Sequence, residues 1–408
     1  MKKITPNDFE EENEFNDKTR KIGKDSYQTL KPTLSKIVET QTQMIFEGKT
    51  QKIGESKEST IVEEFWNYYK QFSPDNLPSE EKYYGEEAAE LKITILIRMF
   101  QDYYLERVYP TSFPVPIIQK SYRSTKNNIK KPAKFFFVGD THGSFIDSIK
   151  LIPYFVQEIQ KGQEKGYDVK IVFIGDFVDR GQLDIHNILY LLAFNLKFQN
   201  NVLLLRGNHE EISINAHYGF GTRVMKNFSQ LLFASFNHMF KDLPLIAIFH
   251  CNEGSIMCLH GGIPLIPNKS TGEYEVPQLN TYKFNNRQVW IDEMDTVTQQ
   301  ILWNDPIRNY DPNSRQKYFK SRRGIGYVFN HEIFNEFCIK NHVDLLFRGH
   351  QVFLEGFHKH FDNRFITIFS ATNYVKKKIE ARFIELDSGD IYNFKVHSIK
   401  NLNSQTKL

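Results

Sequence analysis

The chain has 408 residues, 40% of them hydrophobic, enough for one large domain or two smaller ones with a sizeable core. Its 52 basic and 49 acidic residues are intermixed and leave a net charge of +3, which argues against a protein built to neutralise a nucleic-acid backbone. No apolar run approaches the roughly 18–20 residues that span a bilayer, so no membrane association is expected.

The start, MKKITPNDFEEENEF, has two lysines but no apolar stretch behind them and does not read as a secretory signal. Cys251, Cys258 and Cys338 form no C-x-x-C pair, so neither a disulfide framework nor a thiolate zinc site is expected. A reduced intracellular compartment follows, the cytoplasm or also the nucleus. The chain divides near residue 76. Residues 1–75 are expected to form a helical, partly flexible extension, 76–400 the main domain and 401–408 a short tail.

Within the extension, Thr60 followed by Glu63 suggests a capping box opening a helix. Ile61, Val62, Phe65, Trp66, Tyr69 and Phe72 then follow helical spacing. Packing against the main body is the plainer reading of that stripe, and docking of a regulatory protein the other. SPDNLPS (73–79) reads as a loop. A longer helix follows, with Leu91, Ile95, Leu96, Met99, Phe100 and Tyr103 available for burial, and TSFPVP (111–116) stops it. Ile118, Gln119 and Arg123 match a calmodulin-binding helix only in part, so no calmodulin response is expected. A single last strand is expected around Ala381–Val396.

From residue 134 one plan repeats. KFFFVGDTHG (134–143), KIVFIGDFVDRG (170–181) and NVLLLRGNHE (201–210) each run from apolar residues through Gly to Asp or Asn. The intervening stretches carry helical periodicity, as in Phe145, Ile149, Ile152, Phe155, Val156 and Ile159. Strands alternating with helices predict parallel pairing, with polar ends meeting beyond the carboxyl edge of the sheet. SIMCLHGG (255–262), DLLFRGH (344–350) and FITIFSATNY (365–374) have the same form and deliver His260, His350, Asn373 and Tyr374.

Any one of these turns would be weak evidence. Together, Asp140, His142, Asp176, Asn208, His260 and His350 offer oxygen and nitrogen donors that suit manganese, iron or zinc. One Asp bridging two cations, with ligands on either side, describes a two-metal site that makes hydroxide available near neutral pH. Arg180 and Arg323 add guanidinium forks that fit phosphate. The chemistry indicated is phosphate-monoester hydrolysis.

GDTHG, GDFVDRG, RGNHE, LHGG, LWNDP (302–306), RG (323–324), RGHQ (348–351) and SATNY (370–374) stand in an order that resembles the serine/threonine phosphoprotein phosphatases, the metal-dependent family that includes calcineurin. The resemblance covers roughly residues 80–395. It implies an α/β fold with a central β-sandwich of mixed sheets flanked by helices, acting on phosphoserine and phosphothreonine in phosphoprotein partners. By position, Asp140, His142 and Asp176 would hold the first metal, with Asp176 bridging to a second held by Asn208, His260 and His350. Arg180, Arg323, Asn208 and His209 would contact phosphate, with Tyr374 at the rim. His209 would protonate the leaving oxygen, oriented and kept cationic by Asp179. Trp303, Tyr218 and Ile214 would line a peptide groove.

The chain also departs from the family. GTRV follows YGF (218–220) where many relatives are acidic, Ala216 replaces a usual Arg, and VKKKIE follows Tyr374 in place of a Cys-Gly pair and a longer acidic loop. These changes bear on substrate choice. A diesterase or nuclease would share the Gly-Asp and GNHE elements, but Arg323 and SATNY favour monoesters. A protein that only binds phosphate is disfavoured because no metal or phosphate position is missing.

Overall fold

The structure, a computed structural model, describes residues 55–104, 117–125, 128, 130–268, 270–285, 287–308 and 316–402. Residues 1–54, the TSFPVP stretch and the last residues of the tail lie outside the described residues.

The apolar runs become strands of two sheets. In chain order they are β1 (Ile117–Ser121), β2 (Ala133–Val138), β3 (Asp168–Phe173), β4 (Val202–Leu204), β5 (Ile246–His250) and β6 (Ser255–Leu259). Then come β7 (Leu345–Arg348), β8 (Phe357–His360), β9 (Phe365–Ile368), β10 (Arg382–Asp387) and β11 (Asp390–Ser398). The five-stranded sheet has the order β11-β10-β2-β3-β4 and the six-stranded sheet the order β1-β5-β6-β7-β9-β8. Strands β2, β3 and β4 pair in parallel, as the alternation of strand and helix predicts, and so do β6, β7 and β9.

FFFV in β2 is apolar at every position because both faces of the sheet are covered. Phe135 and Phe137 point between the sheets, where Phe137 stacks on Phe347 at 4.2 Å and Phe135 meets Phe249 at 4.9 Å. Phe136 and Val138 point the other way, into a core shared with helices. Those helices are α1 (Glu55–Tyr69), α2 (Ala89–Tyr103), α3 (Phe145–Lys165), α4 (Asp184–Lys197), α5 (Phe220–Asn227) and α6 (Gln230–Phe240). The outer face of the other sheet is covered by α7 (Thr296–Trp303) and α8 (His331–Asn341). The result is a β-sandwich of mixed sheets flanked by helices. No helix among the described residues is long and apolar enough to cross a membrane.

Several local expectations change. Helix α1 already runs from Glu55, so Thr60 is an exposed mid-helix residue and no capping box starts there. In α2 the buried face is Ala89, Ile93, Leu96, Ile97 and Phe100, whereas Leu91 is 65% exposed. Leu96 and Phe100 are buried as expected and Met99 and Tyr103 pack against the same core, so only the edge of the stripe differs: Leu91 and Ile93 are equally apolar, and tertiary packing chooses Ile93. The segment compared with a calmodulin-binding helix begins as strand β1, and the single last strand is the hairpin of β10 and β11.

Val62, Phe65, Trp66 and Tyr69 of α1 are buried in the same core as α3, α4 and β2. Trp66 meets the rings of Tyr190, Phe194 and Phe198 at 5.7, 6.1 and 5.6 Å. Trp66→Ala should therefore cost about 3–5 kcal/mol, as emptying a large aromatic site in a core does. Urea unfolding followed by far-UV circular dichroism measures this. A loss below about 1 kcal/mol, within the range of a surface change, would mean that α1 is not integral to the core.

Candidate metal centre

The turns after β2, β3 and β4 carry Asp140 and His142, then Asp176, Asp179 and Arg180, then Asn208 and His209, to one edge of the sandwich. His260 after β6 and His350 after β7 arrive from the other sheet, joined by the Gly349 N–H donating to the His260 carbonyl at 3.1 Å. Asp176 is central. Its Oδ2 lies 3.4 Å from His142 Nε2, its Oδ1 lies 3.3 Å from His260 Nε2, and Oδ1 accepts the His209 N–H at 3.0 Å. Asn208 Oδ1 sits 2.9 Å from His260 Nε2 and 2.8 Å from His350 Nδ1. Asp140 Oδ2 stands 3.8 Å from His142 Nε2, and its carboxylate accepts the His350 N–H at 2.9 Å.

The histidine tautomers decide what the centre can bind. His142 Nδ1 lies 3.2 Å from the Val178 carbonyl and His260 Nδ1 lies 2.8 Å from the Ile174 carbonyl. A carbonyl only accepts, so each Nδ1 carries the proton and a neutral ring turns the Nε2 lone pair inward. Those lone pairs face carboxylate oxygens. Acceptor against acceptor, out of water, repels unless a cation or a proton lies between. The donors fit a cation: the ligand atoms of His142, Asp176 and His209, and of Asp176, His260 and His350, lie within 4.8 Å of one another, with Asp176 in both groups.

A proton is the alternative, and the local charges favour taking one up. Burial opposes a charged ring at His260, yet Asp176 and Asp140 hold it up at about 9. Burial, then the Asp176 charge, pushes Asp140 up to about 7. Burial also works against the Asp176 charge, but the His260 and His209 rings keep that carboxyl well below its ordinary range.

His209 Nδ1 lies 2.7 Å from Asp179 Oδ2, while Asp179 Oδ1 accepts the Phe220 N–H at 2.9 Å. Burial pushes His209 down to about 3 against the pull of Asp176, and burial pushes Asp179 up to about 7. A neutral ring still offers an Nε2 proton when the proton shared with Asp179 rests on the carboxyl. The contact with Asp179 orients the ring.

Around these groups stand the arginines. The Arg180 guanidinium lies over the Tyr218 ring at 4.1 Å and 5.8 Å from the Tyr374 ring. Arg323 Nε donates to Asp305 Oδ2 at 2.8 Å, and its charge acts on both His209 and His350. Tyr374 lies 4.9 Å from the His142 ring, Tyr218 5.5 Å from the His209 ring and Trp303 5.7 Å from the His350 ring. Ile214, named with Tyr218 and Trp303 for the groove, is half-buried in the short turn of helix after His209.

Residues 133–353 match the model of the calcineurin-like phosphoesterases. This chain belongs to that family. It is 34% identical over 251 residues to a serine/threonine-protein phosphatase, BSL2 of Arabidopsis thaliana, an alignment covering 60% of this chain. The chain matches only 23% of the length of that curated relative. A protein serine/threonine phosphatase from Saccharomyces cerevisiae, described as similar to human PP5, shares the fold with a TM-score of 0.57 and 23% identity. That superposition covers 76% of this chain and 89% of the yeast one.

Two supports of this phosphoesterase centre were not assigned from sequence. Glu210 ends the RGNHE motif, and its buried carboxylate accepts the backbone N–H groups of Asp176, Phe177 and Gly207 at 2.7, 2.8 and 2.9 Å. One side chain thus locks the β3 and β4 turns together. Gly207 permits their approach, since a Cβ there would run into Asp176 Oδ1. Arg223, visible in the sequence only as a departure in GTRV, pairs in a fork with fully buried Asp184 at 2.8 and 2.6 Å. Asp184 in turn accepts the Asp179 N–H at 3.0 Å.

The Arg223–Asp184 pair steadies a strained turn. Asp179 and Arg180 both have φ of 69°, a left-handed backbone that costs non-glycine residues about 1–3 kcal/mol each. Arg223→Met should leave Asp184 buried without its cation and cost about 3–5 kcal/mol. The double change Asp184→Asn with Arg223→Gln should recover most of that loss, because two amides need no counter-charge. Denaturant titration of both proteins checks the pair, and a double variant no better than the single one would show that the charges are not what matters.

Proposed function

We propose that the chain is a protein serine/threonine phosphatase that hydrolyses phosphoserine and phosphothreonine monoesters at a two-cation site. The observation that carries this reading is Asp176, a buried carboxylate shared by two donor groups and faced by the Nε2 lone pairs of His142 and His260. Asp140, His142 and Asp176 would hold one manganese, iron or zinc ion, and Asp176, Asn208, His260 and His350 the other. When bound, such cations acidify water and offset phosphate charge.

The chain's own groups supply the rest. Arg180 and Arg323 are placed to take the phosphate oxygens, each already oriented by a neighbour: Tyr218 beneath Arg180 and Asp305 behind Arg323. Asn208 lies between the ligand histidines and would also touch phosphate, and Tyr374 would form the rim. His209 Nε2 is the proton donor to the departing serine or threonine oxygen, with Nδ1 held by Asp179. His209 also falls in one of the donor groups, but its Nδ1 is held by Asp179, which leaves Nε2 for the leaving oxygen. Two guanidinium groups match the double charge of a monoester better than the single charge of a diester. A regulatory protein would have to use residues other than the stripe of α1, whose aromatic face is buried.

Two variants test the roles. Asp176→Asn removes a charge shared by both cations, so bound metal and turnover should fall together, measured by elemental analysis and phosphate release. Full metal content with normal rates would remove the bridging assignment. His209→Ala should keep the metals and lose about 10²–10⁴ in turnover on an alkyl phosphate such as phosphoserine. The loss on an aryl phosphate, whose leaving oxygen needs no proton, should be much smaller, and equal losses on both would exclude the proton-donor role.

A further inference from the structure

The VKKKIE segment forms a tight hairpin beside the metal centre. Asn373 pairs with Lys378 and Tyr374 with Lys377, antiparallel, around a turn in which Val375 and Lys376 have φ of 43° and 63°. Left-handed residues at both central positions are what a two-residue hairpin turn requires. Residues directly opposite in such a pair share one face, with Cβ atoms about 4.5–5.5 Å apart. Lys377 therefore stands on the face of Tyr374, whose ring touches His142 and lies 5.8 Å from the Arg180 guanidinium.

The hairpin base is fixed. Ile379, Phe369 and Ala371 are buried together, with Val352 and Tyr374 packed against them. The Ile379 N–H donates to the Thr372 carbonyl at 2.8 Å, and the Thr372 N–H donates to Asp147 of α3 at 2.7 Å. Lys376, Lys377 and Lys378 are exposed on this anchored base. Among the described residues none of their ammonium groups has a carboxylate within 4.0 Å, and the adjacent Glu380 is paired with Arg382 and Lys400 at 3.0 and 3.1 Å. Three uncompensated positive charges thus stand at the rim, next to the arginines that would take the phosphate.

We propose that this hairpin is a specificity element that favours phosphopeptides carrying Asp or Glu two or three residues from the phosphoresidue, with Lys377 as its main determinant. The inference rests on the phosphatase reading above. An extended peptide advances about 3.3–3.6 Å per residue, so a side chain two or three positions from a phosphate at Arg180 comes within reach of the flexible Lys377 stem. Exposed charges interact weakly and are screened by salt, so the preference should be graded, about three- to tenfold at low ionic strength, and should fade at high salt.

The test compares matched phosphoserine peptides with Glu or Gln at the flanking positions, on the manganese-loaded full chain. Two readouts are taken: kcat/KM for phosphate release, and peptide binding by fluorescence anisotropy. The Glu peptide should win by several-fold in both. Lys376→Ala, Lys377→Ala and Lys378→Ala together should abolish that advantage while turnover of a small aryl phosphate stays unchanged, and Lys377→Glu alone should reverse it. Equal binding and turnover of the two peptides by the native chain, or a preference that survives the triple change, overturns the proposal. Absence of hydrolysis with the Glu preference retained in binding would instead overturn the phosphatase reading and leave the hairpin's role standing.

Discussion

The buried negative charge of Asp176 is the constraint around which this phosphoesterase is organised. A carboxylate 2% exposed cannot rely on water, and its neighbours within 3.5 Å are histidine nitrogens and a backbone N–H. Two of those rings have their other nitrogen spent on backbone carbonyls, so they turn lone pairs toward the carboxylate instead of protons. Such an arrangement is poor for a stable core and suited to a cation. Without one, burial and then the Asp176 charge raise Asp140 to about 7, and Asp176 and Asp140 hold His260 up at about 9 against burial.

Holding that centre takes a second layer of interactions that are themselves buried and polar. Glu210 clamps three backbone N–H groups of two separate turns, and Asp184 with Arg223 braces the turn that carries Asp179 and Arg180. On the far side Asp305 is shared by Arg323 and by fully buried Arg348, which reaches it at 3.1 Å. Backbone strain is found here as well: His142, Asp176, Asp179, Arg180 and His350 all have positive φ. Functional turns store strain of this kind when the surroundings over-determine it, and the two covered sheets supply those surroundings.

The periphery divides into a part that supports the body and a part that stands exposed at the rim of the centre. Helix α1 contributes its aromatic face to the same core as the strands that end at the centre, and Tyr69 reaches His186 of α4 at 3.2 Å. Helix α4 also begins with Asp184, so the packing of α1 and the bracing of the Asp179 turn act on one helix. The Tyr374 hairpin, by contrast, buries only its base and leaves its charges in solvent. Rigid support and exposed charge are thus separated, so a change at the rim need not disturb the centre.

Much of this was legible in the sequence because the relevant signals are local. Apolar runs followed by glycine and a polar residue specify strand ends, and the alternation with helical periods specifies parallel pairing, so the sequence already gathers Asp140, His142, Asp176, Asn208, His260 and His350 at one edge. The edge of a helix's buried stripe was less legible, as Leu91 and Ile93 show, since either residue buries similar area until a partner surface is present. What only the tertiary structure decided depends on sums over distant segments. The push on His209 toward its neutral form comes chiefly from burial within the whole site, and nothing in the spacing of Asp179 and His209 reveals it. The pairing of Arg223 with Asp184 joins positions 39 residues apart on different helices. Local periodicity fixes where a side chain leaves the backbone; burial and long-range charge fix what that side chain can then do.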